Sequence, residues 1–66
     1  MAIYCVYGYN TTDGSGKLDK LTEEVEKEFD DLEGADEFFE MNRDKYEYLQ
    51  VERVENEDVE VLYWSV

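Results

Sequence analysis

Carboxylates are the side chains best suited to do chemistry in this sequence. Nineteen Asp and Glu residues face six Lys and Arg residues, and the formal net charge is −13 at pH 7. At least thirteen carboxylates therefore have no basic partner in the chain. Such a surplus suits recognition of a basic surface, because opposite charges steer and orient two partners.

The same residues are poorly equipped for catalysis. The chain has no histidine to act as an acid or base near neutral pH, and its one thiol, Cys5, has no second cysteine or histidine to pair with. The segment 14–17 (GSGK) resembles a phosphate-binding loop, but Thr11 and Leu18 occupy positions that need glycine and Ser or Thr. We expect no enzyme activity, no catalytic residue, no metal site and no cofactor.

Length and composition favour one folded domain over residues 1–66. Apolar residues make up 42% of the chain and aromatic residues 15%, which is too much for a disordered acidic segment. A single cysteine excludes an internal disulfide, and neither a signal peptide nor an apolar run long enough to span a membrane is visible. These features predict a cytoplasmic protein with no membrane association.

The spacing of apolar residues predicts the main elements. Residues 2–9 are aromatic and β-branched at both parities, which is typical of a central strand. After a loop over 10–17, apolar residues recur every three or four positions and predict an amphipathic helix over about 18–33. Gly34 is expected to end this helix, and Ser15, Asp19 or Thr22 to cap its start. The apolar stripe consists of Leu18, Leu21, Val25, Phe29 and Leu32.

The second half of the chain reads mostly as strands. Residues 37–42 fit either a short strand or a helical turn. Residues 45–55 and 59–66 are strand-like, and 56–58 is a turn that joins them into a hairpin, with a bulge expected near Tyr48. The predicted fold is α+β, with the helix packed on an antiparallel or mixed sheet of three to four strands in the order β-α-(β)-β-β.

On the predicted helix, the acids separate into two flanks. One flank includes Lys20 and Lys27, whereas the other is a ridge of carboxylates without a base. We predict that this ridge, continued by the acids that follow it, binds the partner, and that a second acidic row lies on the strands. The ridge residues are Asp19, Glu23, Glu26, Asp30, Glu33, Asp36, Glu37 and Glu40, and the second row is Glu47, Glu52 and Glu55.

The charge density of the predicted helix is close to that of DNA. Residues 19–33 carry eight acids and two lysines and would rise about 21 Å as a helix, or one net charge per about 3.5 Å. A single DNA strand carries one charge per about 3.4 Å. The pattern predicts a protein that mimics the charge of nucleic acid, does not bind nucleic acid itself, and occupies the groove of a basic nucleic-acid-binding protein or complex.

Two other functions fit the composition. A halophile's small domain would carry a similar excess of acid without a specific binding site, and an acidic adaptor or antitoxin would bind a basic protein that has no nucleic-acid groove. Tyrosines that are exposed beside the acids would add apolar contacts to a charged interface, or they would support a weak homodimer. The expected oligomeric state is a monomer or a weak homodimer.

The chain resembles the small acidic inhibitors encoded by bacteriophages. The resemblance rests on its length, on the charge density of residues 19–44 and on one helix beside a short sheet, and no sequence motif contributes to it. It is strongest to the anti-CRISPR proteins that block type I surveillance complexes. The resemblance implies an inhibitor that binds the DNA-entry surface of such a complex in the bacterial host cell.

Overall fold

The molecule is a four-stranded antiparallel sheet with one helix packed on one of its faces. The computed structural model describes residues 1–65, and for Leu18 it describes the backbone only. In chain order the elements are β1 (Ile3–Thr11), a 3₁₀ turn (Leu18–Lys20), β2 (Leu21–Phe29), α1 (Leu32–Asn42), β3 (Tyr48–Glu55) and β4 (Asp58–Trp64). The strands lie in the order β2-β1-β3-β4, which confirms the α+β class and one helix packed on an antiparallel sheet. The fourth strand is β2, and not the segment 37–42 that the sequence offered as an optional strand.

Strand β1 is central, as its sequence predicts. It pairs with β2 on one side and with β3 on the other. Its side chains are covered on both faces to different degrees, because Cys5 and Val6 point to opposite sides and are both buried. This double burial explains why apolar residues occur at both parities in this segment.

The predicted helix over 18–33 is wrong, because residues 21–29 form β2 and the helix of this protein begins at Leu32. A spacing of four residues brings side chains to one side of a helix and also to one face of a strand. Val25 and Phe29 therefore lie on the helix-facing side of β2, opposite Gly8 and Tyr4 of β1. Pairing along the whole of β1 outweighs the helix propensity of this glutamate-rich segment, since propensity is only a weak preference.

The change from helix to strand also removes the match to DNA charge density. Residues 21–29 carry four glutamates and one lysine, and a strand rises about 3.4 Å per residue where a helix rises about 1.5 Å. Three net charges then spread over about 27 Å, or one per about 9 Å. A bulge at Glu24, between the pairs Gly8–Val25 and Tyr9–Glu23, bends this edge strand further.

Helix α1 includes residues 37–42, for which the sequence left strand and helix open. Asp31 caps its start, with Oδ1 accepting a 2.8 Å hydrogen bond from the Gly34 N–H. Gly34 thus lies in the first turn of α1 and does not end a helix, and none of the three predicted caps serves α1. Ala35 and Phe39 are the buried residues of α1, and they fix the helix on the sheet.

The hydrophobic core lies between α1 and the sheet. It consists of Val6 from β1, Leu49 and Val51 from β3, and Ala35 and Phe39 from α1, all at most 5% exposed. The Phe39 ring meets the Tyr63 ring edge to face at 5.0 Å. Only one face of the sheet is covered in this way.

Strands β3 and β4 form the predicted hairpin, although its bounds and the position of its bulge differ. β3 begins at Tyr48 and not at 45, and Asp58, predicted in the turn, is the first residue of β4. The irregular pairing falls between Val51 and Glu52, where β4 carries the extra residue Leu62, and not near Tyr48. β4 ends at Trp64, and Val66, the last residue of the predicted strand, lies outside the described residues. The turn consists of Asn56 and Glu57, both with positive φ (49° and 73°), as a two-residue type I′ turn requires.

The turn contains a strained residue whose replacement should stabilise the protein. Glu57 adopts a left-handed backbone conformation that is unfavourable for a residue with a Cβ atom, whereas Asn-Gly is the preferred sequence of a type I′ turn. We expect Glu57→Gly to raise the free energy of unfolding by about 0.5 kcal/mol, because relieved strain of about 1–2 kcal/mol exceeds the added entropy of the unfolded chain. Urea unfolding measures this change. Glu57→Gln is the matched control, since it removes the charge but keeps the strain, and an equal gain in both variants would contradict the prediction.

Candidate functional site: the uncovered sheet face

The face of the sheet opposite α1 is not covered by any element of the described chain. We call it the open face. Val6 and Leu49 point towards α1, so the side chains that alternate with them along β1 and β3 point to the open face. Residues directly opposite each other in neighbouring antiparallel strands lie on the same face, so the register extends this assignment to β2 and β4.

Three rows of side chains cross the strands on the open face, and the residue types follow a similar order in each row. Each row begins with an exposed glutamate on β2, continues with a thiol or a tyrosine on β1, and reaches β3 or β4. From β2 to β4, the first row holds Glu28, Cys5, Glu52 and Val61, the second holds Glu26, Tyr7, Gln50 and Trp64, and the third holds Glu23, Tyr9 and Tyr48.

The open face carries four carboxylates and, among the described residues of the four strands, no base. The two basic residues within strands are Lys27 and Arg53, and the register places them opposite Val6 and Tyr4, on the side of α1. Arg53 is also engaged there, because its guanidinium donates a 2.8 Å hydrogen bond to Glu55 Oε1. The sequence predicted two unequal flanks of one helix, whereas the fold creates two unequal faces of one sheet.

Tyrosines occupy the middle of the open face and are partly buried there. Tyr9 and Tyr48 pack edge to face at 5.6 Å, and the Tyr48 hydroxyl lies 2.9 Å from Gln50 Oε1, to which it donates a hydrogen bond. Burial raises the pKa of both Tyr7 and Tyr9, and the surrounding glutamates raise it further. The Tyr7 and Tyr9 phenols therefore stay neutral donors over the physiological range, which keeps this part of the face uncharged and able to hydrogen-bond.

Cys5 lies in the same face but is not available for chemistry. It is buried, and burial raises the pKa of its thiol, with Glu28, Glu26 and Glu52 adding to the shift. A raised pKa keeps the sulfur protonated and weakly nucleophilic. Cys5 therefore contributes a small buried side chain next to Tyr7 on the open face.

The eight acids of the predicted ridge are divided between separate parts of the molecule. Glu23 and Glu26 lie on the open face, Asp19 lies in the 3₁₀ turn, and Asp30 lies between β2 and α1. The ridge along a helix over 18–33 is thus wrong as a geometry. The remaining four acids do follow one side of a helix at spacings of three and four residues, but that helix is α1, and they are Glu33, Asp36, Glu37 and Glu40.

The three acids of the predicted second row do not form a row. Glu47 precedes β3 and is held by Thr11, whose N–H and hydroxyl donate to Oε1 at 2.9 and 2.8 Å. Glu55 pairs with Arg53 on the α1 side, and Glu52 alone lies on the open face. Whether any predicted acid binds a partner stays a prediction.

Sequence reasoning missed the contribution of Glu28 and the apolar residues of β4. Val59, Val61 and Trp64 point to the open face and are 60%, 43% and 54% exposed. The alternation of Val59, Glu60 and Val61 carried part of this signal. Trp64 joins the two valines only through the extra residue Leu62, which becomes visible once the pairing with β3 is known. Glu28 was not predicted as a site residue because the predicted helix over 18–33 places it outside the acidic ridge.

Comparison with known proteins supplies no family for the chain: no family model, curated protein or solved structure matches it. The resemblance to phage-encoded anti-CRISPR proteins therefore stays a prediction. Within residues 1–65, no group of three or more potential ligands is placed to hold a metal ion. The one helix of the described chain, α1, is too short to cross a membrane.

Proposed function

We propose that this protein binds the basic surface of another protein through its open face. The supporting observation is the register of the sheet, which places four glutamates around the tyrosines of the open face: Glu23, Glu26, Glu28 and Glu52. The same register places Lys27 and Arg53, the two basic residues of the strands, on the side of α1. A solvated acidic surface would carry its bases interspersed with its acids. Here the basic residues of the strands lie on the α1 side, so the open face carries only negative charge around an apolar middle.

The two parts of the face have different roles in this proposal. The glutamates of β2 lie at the rim, where exposed charges mainly accelerate association and select basic partners. The tyrosines and Trp64 provide the apolar contact area that typically dominates affinity. A net charge of −13 adds a long-range field that favours any positively charged target.

The target we propose is the nucleic-acid-binding surface of a DNA-processing complex in a bacterial cytoplasm, where occupancy would exclude DNA. A type I CRISPR surveillance complex is the first complex to test, and the protein would then act as an inhibitor. Glu26 and Glu28 lie two residues apart on one strand face, or about 7 Å. Such a face offers a basic groove several carboxylates at once, although its linear charge density is lower than that of DNA.

Binding to a purified type I surveillance complex tests the proposal directly. We expect the dissociation constant to rise steeply between 50 and 500 mM NaCl, because charged contacts dominate association, and we expect duplex DNA to compete. Binding that DNA cannot displace would indicate an acidic adaptor without nucleic-acid mimicry. Absence of binding at 50 mM NaCl would exclude this target.

A thermal unfolding series in NaCl separates this proposal from salt adaptation. A protein built for a basic partner should be folded at 0.15 M NaCl. A halophile's domain should unfold at low salt and gain stability up to molar salt, because its carboxylates then need screening by cations.

A further inference from the structure

The two edge strands of the sheet expose different side chains on the open face. β2 carries glutamates at Glu23, Glu24, Glu26 and Glu28 and a bulge, which are devices that prevent pairing with another strand. β4 is the opposite edge, and it also carries a bulge, at Leu62, and two exposed acids, Asp58 and Glu60. Its exposed positions on the open face are apolar, however, and they are Val59, Val61 and Trp64. An exposed apolar edge strand promotes aggregation of a free protein, and it favours binding in a protein that receives a partner strand.

We propose that β4 receives an extended basic segment of the partner by strand addition, as a fifth strand of the sheet. This inference rests on the proposed function, because it specifies how a basic partner would dock. The segment would lie beside the apolar end of the open face and extend the interface beyond the tyrosines. Main-chain hydrogen bonds would then supplement side-chain contacts.

The geometry of the hairpin makes the main chain of β4 available at two positions. In a two-residue hairpin, Glu55 and Asp58 flank the turn and form a hydrogen-bonded pair. Hydrogen-bonded and non-hydrogen-bonded pairs alternate along an antiparallel ladder. Asp58 and Glu60 therefore direct their N–H and C=O groups to β3, whereas Val59 and Val61 direct theirs outwards.

The side chains along β4 define the sequence of the segment that would fit. Val59, Val61 and Trp64 lie on the open face, and Asp58 and Glu60 lie on the other side. An added strand that alternates apolar and basic residues would place its apolar side chains on the valines and its basic side chains beside the two acids. Arg53 lies opposite Glu60 but is bonded to Glu55, which leaves the outer acids for the partner.

Charge decides between the two possible sources of such a strand. A second copy of this chain could offer its own β4, but each copy carries a net charge of −13. Pairing two copies would also bring Asp58 and Glu60 of each β4 close to those of the other. An extended basic segment gains from the same charges, so the partner segment is favoured over a homodimer.

A synthetic peptide of alternating lysine and valine tests the proposal on the full-length protein. We expect the Val59 and Val61 amide protons to exchange fast in the free protein and at least 10-fold more slowly with saturating peptide, while the Glu60 amide is protected in both states. A peptide with the same composition in the order Lys-Lys-Val-Val is the control for charge alone. Equal protection by both peptides, or no protection at Val59 and Val61, would overturn strand addition.

Two variants separate main-chain pairing from side-chain contact. Val61→Pro removes one outward N–H and is tolerated on an edge strand, and we expect it to weaken peptide binding at least 10-fold. Val61→Thr keeps the N–H and should bind within about 3-fold of the parent protein.

If Val61→Pro binds the surveillance complex normally while lysine replacements on β2 abolish that binding, the proposed function stands and strand addition is wrong. Protection of Val59 and Val61 without peptide, together with a dimeric mass in sedimentation, would also overturn the proposal and assign the edge to a second copy.

Discussion

Replacing Glu23, Glu26 and Glu28 with lysine is expected to weaken binding to the basic target by at least 100-fold. All three side chains are exposed at the β2 rim of the open face, so the fold should tolerate the changes. Each reversal converts an attraction into a repulsion at the proposed interface, and a 100-fold loss corresponds to about 2.7 kcal/mol. Titration of the variant against the surveillance complex at 0.15 M NaCl measures the loss.

A second triple variant controls for total charge. Asp36→Lys, Glu37→Lys and Glu40→Lys change the net charge of the protein by the same amount, but these three side chains lie on α1, on the other side of the sheet. We expect this variant to lose less than about 5-fold in affinity, through the weaker long-range field alone. Equal losses in the two triple variants would show that bulk charge matters and that the open face is not the site.

The Phe39→Ala variant is expected to be the most damaging single substitution for stability. Phe39 is 5% exposed, lies in the core with Leu49 and Val51, and meets Tyr63 edge to face. Its truncation should lower the free energy of unfolding by about 3–5 kcal/mol. A domain of this size has a total of about 3–10 kcal/mol, so this loss would remove about a third or more of its stability.

Met41→Ala provides the comparison on the same helix. Met41 is 72% exposed, and alanine has the higher helix propensity, so the free energy of unfolding should change by less than about 0.5 kcal/mol. Urea unfolding followed by circular dichroism measures both variants. Similar stabilities for the two variants would contradict the packing of α1 on the sheet.

The contrast between β1 and β2 shows how far local sequence determines this fold. β1 was predicted correctly because aromatic and β-branched residues at both parities have few alternatives to a central strand. β2 was predicted as a helix because its apolar residues recur at helical spacing, and Val25 and Phe29, four residues apart, share a side in a helix and in a strand alike. Leu21 does not follow them in the strand, because the bulge at Glu24 turns it to the open face. Residues 21–29 form a strand because they can pair with the free side of β1. That side becomes available only when the sheet forms, so the local sequence cannot decide between helix and strand.

The candidate site shows the same limit more strongly. The excess of carboxylates over bases is fixed by composition, and so is the expectation of a basic partner. Which acids share a face is not fixed by composition, because Glu23 and Glu28 are five residues apart in the chain and lie on the same face only through the bulge at Glu24. An extra residue in the strand reverses the face of every side chain beyond it.

The sequence by itself determined the sign and size of the charge, the α+β class, the central strand and the β3–β4 hairpin, since each depends on residue type or short-range periodicity. The tertiary structure decided where the carboxylates gather. Pairing with β1 turned the acids of β2 away from Lys27 and towards Tyr7 and Tyr9, and long-range pairing of this kind has no signature within a single segment. The unpaired carboxylates of this protein are therefore organised by the register of its sheet.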